Sequence, residues 1–128
     1  MEELIKISLD NEMDLILAHK RAMKLAELVG LSLAAQTTFA TAVSEVARYA
    51  IEQGTGPTLT LGTERLRSHP FLVAVIEDRN LPVANPLNQG LLYAQRLVEK
   101  MEITNTGKGG KLHYTTAFLR RENQAPNR

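Results

Sequence analysis

Apolar and polar positions change period several times along the chain, and each change marks an element. Leu4-Ile5-Lys6-Ile7-Ser8-Leu9 alternates closely enough to predict a strand over Leu4 to Leu9. Asp10-Asn11-Glu12 follows, offering an N-cap and early negative charge to the free N–H groups of a first helical turn. The stripe Leu15, Ala18, Ala22, Leu25, Val29 carries that helix from about Met13 to Val29. Gly30 ends it, since glycine adopts the left-handed conformation without a Cβ clash. A second helix starts at Ser32, and Phe39, Val43, Val46 and Ala50 carry it to about Gln53. Gly54 stops it and Gly56-Pro57 closes the turn.

From Thr58 the period falls to two. Thr58 to Leu66 reads as a half-buried strand with Leu59 and Leu61 on one face, and Ser68-His69-Pro70 as a turn. Phe71 to Glu77 is a continuous apolar run suited to a central strand, with Val73 and Val75 expected against the second helix. Asp, Asn, Pro and Gln cluster between Asp78 and Asn88, which marks a loop. A third helix over about Leu87 to Lys100 places Leu87, Leu91, Ala94, Val98 and Met101 on one side. Two strands close the pattern, Met101 to Asn105 and Leu112 to Leu119, joined by Thr106-Gly107-Lys108-Gly109-Gly110. The order β-α-α-β-β-α-β-β predicts an α/β (α+β) two-layer sandwich: a mixed, mostly antiparallel sheet with helices on one face. Residues 1–119 form one domain on this reading, and 120–128 a frayed tail without apolar pattern.

Composition narrows the function classes. The 128 residues are 44% hydrophobic, enough for one core without disulfides or metal. Fifteen Lys+Arg against fourteen Asp+Glu leave a net charge of +1, so no footprint for nucleic acid or an anionic membrane stands out. With no Cys there is no thiolate zinc site, redox pair or thiol nucleophile. The acidic opening Met1-Glu2-Glu3, with no apolar leader after it, points to a cytoplasmic protein. His19, His69 and His113 fall on different elements without metal-ligand spacing, and are read as structural. Lys108 sits in its glycine loop without the G-x-x-x-x-G-K-[ST] context of a phosphate site.

Three stretches carry a resemblance. Asp14-Leu15-Ile16-Leu17-Ala18-His19, Thr41-Ala42-Val43-Ser44-Glu45-Val46-Ala47-Arg48, and Gly90 through Gly110 together resemble the histidine-kinase-like ATPase (GHKL, Bergerat) fold. The likeness is to its bacterial anti-sigma-factor and switch serine-kinase branch, and it extends from Glu3 to Leu119. In that family an Arg usually stands at the place of His19, and the second stretch reads T-A-x-S-E-[LV]-A-R.

The resemblance implies roles, and the sequence departs from most of them. Glu45 matches the carboxylate that acts as general base in the family. It can equally pair with Arg48 or Tyr49, three and four positions on. The resemblance implies an Mg²⁺-binding Asn one turn after Glu45, where this chain has Tyr49, and a neutral phenol is a poor ligand for that ion. Asp78 matches the acid that receives the adenine amino group, or it simply caps a turn. The D-x-G-x-G pattern that should follow is Asp78-Arg79-Asn80-Leu81-Pro82, with Asn80 and Pro82 in place of both glycines. The lid up to Gly90 is short and holds Pro82 and Pro86, and Gly110 replaces a Thr that supports the adenine site.

Two readings stand. In the first, the domain is a degenerate, non-catalytic form that binds a regulatory protein and needs no cofactor. Its partner is an anti-sigma-antagonist (STAS-like) or sigma-factor-like domain, contacted by Arg48, Glu52 and Gln53 and the Asn80 to Asn88 loop. No nucleic acid or membrane enters this reading, and a second copy of the chain is the other candidate partner. In the second, the chain is an active protein serine/threonine kinase that uses ATP and Mg²⁺, with Glu45 as catalytic base.

Overall fold

The structure is a computed structural model that describes residues 2–53, 56–66, 69–78, 88–98, 100–105 and 112–120. Its elements run β1 (Glu2–Ser8), α1 (Met13–Leu28), α2 (Leu33–Gln53), β2 (Thr58–Leu66), β3 (His69–Asp78), α3 (Gln89–Leu97), β4 (Lys100–Asn105) and β5 (Leu112–Arg120). This is the predicted order. The five strands form one sheet in the order β1-β2-β3-β5-β4, and all four pairings are antiparallel. β5 is inserted between β3 and β4, so the last two strands return as a hairpin beside β3, which is central as its unbroken apolar run implies.

Local chemistry sets the element ends. At the start of α1, Asn11 Oδ1 accepts from the Met13 N–H at 2.9 Å, and Glu12 at the cap position makes no side-chain cap bond. Asp14 reaches back instead, its Oδ2 accepting from the backbone N–H groups of Asp10 (2.7 Å) and Asn11 (3.1 Å). Val29 is the C-cap of α1, and Gly30 follows at φ 91°, a conformation that L side chains rarely adopt. Ser32 caps α2 through Oγ, which accepts from the Ala35 N–H at 3.2 Å.

The core lies between the helices and one face of the sheet. α1 contributes Leu15, Ala18, Ala22, Leu25 and Ala26, and α2 contributes Phe39, Val43, Val46, Ala47 and Ala50. The sheet meets them with Ile7, Leu59, Leu61, Leu72, Ala74 and Ile76. The expectation that Val73 and Val75 face α2 is therefore corrected by one position. Leu59 pairs with Ile76 and Leu61 with Ala74, and period-two alternation puts Val73 and Val75 on the opposite face with Gly62 and Thr60. Val73 is nonetheless only 1% exposed, so the central strand is buried there on its second face too.

Other boundaries also move. His69 and Pro70 extend β3 rather than forming a turn, and pair with Leu66 and Arg65. α3 ends at Leu97 rather than Lys100, which pairs with Phe118 in β4, and Met101 pairs with Ala117 in the strand expected from it. Arg120, expected in the tail, is the last residue of β5 opposite Phe71, and residues 121–128 lie outside the described residues. No helix among the described residues is long and apolar enough to cross a membrane.

Candidate functional site

The candidate chemistry gathers where the second half of α2 meets the first turn of α3. Glu45 is partly buried on α2, and its Oε1 lies 3.0 Å from where a Cβ on Gly90 would stand. Asn88 Oδ1 lies 3.2 Å from that same point. Gly90 thus relieves a close approach: the α3 backbone sits directly against the Glu45 carboxylate. Asn88 is the N-cap of α3, with Oδ1 accepting from the Leu91 N–H at 3.0 Å. A carboxylate beside the N-terminal turn of a helix meets the positive end of its dipole, a favourable placement.

One turn beyond Glu45, Tyr49 points inward. It is 7% exposed and belongs to the hydrophobic core with Val46, Ala50 and Leu91. Ser44, in the same stretch, has a buried Oγ with no hydrogen-bond partner. Burying such a hydroxyl unpaired costs on the order of 1–3 kcal/mol. No ion pair joins Glu45 to Arg48 among the described residues, where Lys24 and Glu27 form the ion pair at 3.3 Å. Nor do any three His, Cys, Asp or Glu side chains gather there in a metal-binding arrangement.

The structure brings together Glu45, Gly90 and, one turn from Glu45, Tyr49. Arg48, Glu52 and Gln53 stand apart, exposed along the last turns of α2. Asp78 is the final residue of β3, paired in register with Leu112 of β5 after an irregularity following Ile76. Asn80, Gly110 and the loop over 80–87 lie outside the described residues. The sequence pattern places Asn88 at the end of that loop and within the helix expected from Leu87, not at its cap. Its signal is an Asn immediately before a short apolar-periodic stretch that opens with Gln89-Gly90-Leu91, the pattern of an N-cap.

Among the described residues the fold is a two-layer α+β sandwich of three helices and a five-stranded antiparallel sheet. Neither a family model nor a curated protein matches the sequence. Among solved structures, the chain is similar to the crystal structure of the RsbU and RsbW domains of Rv1364c from Mycobacterium tuberculosis, with a TM-score of 0.72 and 17% identity. The likeness covers 100% of this chain and 35% of that one, so this chain spans about a third of its neighbour's length. At that identity the likeness is one of fold.

Proposed function

We propose that this chain is a non-catalytic regulatory domain of the anti-sigma-factor type, acting in the cytoplasm by binding a protein. One observation carries the reading: the side chain one turn after Glu45 is a phenol packed into the core. An Mg²⁺ site there would need an oxygen donor that faces solvent and phosphate. Tyr49 fills the position with apolar ring, so the residues present do not fit a magnesium nucleotide. The fold likeness to a structure containing an RsbW domain agrees with a regulatory role. The partner on this reading is an anti-sigma-antagonist (STAS-like) or sigma-factor-like domain, received by the exposed Arg48, Glu52 and Gln53.

An active serine/threonine kinase is the second reading. It is favoured by the Glu45 carboxylate, held at a defined place against the first turn of α3. Thermal melting separates the two. A ligand that binds only the folded state raises stability by mass action, by about 2.7 kcal/mol at a hundred times its Kd. The melting temperature is expected to stay unchanged in millimolar Mg-ATP. A magnesium-dependent rise of several degrees would show nucleotide binding, overturn the ground of the non-catalytic reading and promote the kinase, for which phosphoryl transfer is then the assay.

A further inference from the structure

The outward side of α1 carries apolar residues where a helix packed on one side normally carries charge. Met13, Ile16 and Leu28 are 71%, 57% and 70% exposed. At 100° per residue, Ile16, Lys20, Lys24 and Leu28 fall within one arc of about 120°. A shallow groove of about 590 Å³ runs over this surface, with Leu17 and Met23 contributing apolar wall, Lys20, Arg21 and Lys24 lining it, and Gln36 of α2 at its side. The Gln36 amide is fixed there, its Nε2 donating to the Leu31 carbonyl at 2.9 Å.

Charge in the groove is one-sided. Lys24 pairs with Glu27, the groove's carboxylate, and neither Lys20 nor Arg21 has an acidic partner among the described residues. We propose that this face of α1 is a docking surface for an acidic, amphipathic segment of a protein partner. Its carboxylates meet Lys20 and Arg21, and its apolar side chains cover Ile16, Leu28 and the groove wall.

Other occupants fit less well. A second copy related by a two-fold axis would set this patch, with Lys20, Arg21 and Lys24 against Glu27 alone, onto a patch of the same net positive charge. A membrane-surface helix keeps its cations on the polar face, whereas Lys20 and Lys24 lie in the middle of this apolar stripe. Nucleic acid would leave the exposed Ile16 and Leu28 without a role. The surface is also distinct from the Arg48 to Gln53 tip. Gln36 and Glu52 are separated by about 24 Å along α2 at 1.5 Å per residue, so either surface can fail without the other.

The test uses the full chain and two labelled helical peptides. One carries Glu on one face and Leu on the other; its twin has Lys in place of every Glu. Fluorescence anisotropy should give micromolar binding of the acidic peptide, weakening as salt rises, and at least tenfold weaker binding of the basic twin. K20E/R21E should weaken the acidic peptide at least tenfold while its melting temperature matches the parent, and Ile16→Ser should weaken it several-fold. Equal binding of both peptides, no binding of the acidic one, or undiminished binding to K20E/R21E overturns the proposal. So does preference for phosphatidylserine vesicles or duplex DNA over the acidic peptide, or a solution dimer in which this face is already covered.

Discussion

Gly90 gives the sharpest test of how α3 is seated on α2. Replacing a helical glycine by alanine ordinarily stabilises by up to about 1 kcal/mol, since alanine loses less backbone entropy. Here the new Cβ would stand 3.0 Å from Glu45 Oε1 and 3.2 Å from Asn88 Oδ1, both tighter than ordinary contact. The two neighbours differ in how they give way. The Glu45 carboxylate ends a flexible, partly buried side chain and can swing aside. Asn88 Oδ1 is held by its 3.0 Å bond from the Leu91 N–H, and moving it sacrifices the cap. Losing an Asn cap costs about 1 kcal/mol, within a range of roughly 0.5–2. Gly90→Ala should therefore leave the parent at equal stability or lower it by up to ~1 kcal/mol, against the propensity expectation. In an Asn88→Ala background the obstructing oxygen is already gone, and Gly90→Ala should stabilise by roughly 0.5 kcal/mol. The sign reverses between backgrounds, with a coupling near 1 kcal/mol that exceeds the roughly 0.3–0.5 scatter of independent sites. Urea unfolding of the four proteins, followed by far-ultraviolet circular dichroism at constant m, measures it. Additive effects, or a full propensity gain in the parent, would refute the close approach of Asn88 Oδ1 to position 90.

Val46→Asp buries an unpaired charge in the core and should cost several kcal/mol, enough to unfold most of a marginal domain; parent-like melting would overturn the α2 register. Asp14→Ala removes the acceptor for the Asp10 and Asn11 N–H groups and should cost about 0.5–2 kcal/mol by denaturant unfolding, with Asp14→Asn recovering part of it. Gly30→Ala forces a Cβ into φ 91° and should cost about 1–2 kcal/mol, whereas an alanine at the exposed helical position Lys20 should change stability by less than about 0.5.

The helices were legible in the sequence because a 3.6-residue period is redundant. Phe39, Val43, Val46 and Ala50 define one stripe that only a helix satisfies, and each is buried as that stripe requires. Register in β3 was not legible for the opposite reason. Phe71-Leu72-Val73-Ala74-Val75-Ile76 is apolar at every position, so alternation carries no information about which side meets α2. Pairing with β2 decides it, because Leu59 and Leu61 do alternate with Thr58 and Thr60. The turn expected at His69-Pro70 failed because proline reads as a breaker, yet a strand's first residues accept it. At the candidate site, Glu45 was legible as a residue but its neighbour was not. The contact with Gly90 and Asn88 spans more than forty positions and depends on how α3 is laid on α2, which no local pattern encodes.

Helical spacing on α2 separates the packed side of the helix from its exposed ridge. Glu45 and Tyr49 are four residues apart and share one side, toward α3, while Val46 and Ala50 share the side toward the sheet. Arg48 and Glu52 repeat with the same period on the solvent side, and both are exposed. The phenol at position 49 therefore falls on the α3 side alone. It adds apolar burial there and leaves the exposed ridge untouched. On the function proposed above, a protein partner received by Arg48, Glu52 and Gln53 would read the ridge and not the ring. The described residues hold both sets at once: a packed Tyr49, an exposed Arg48 and Glu52, and a Glu45 carboxylate seated against Gly90.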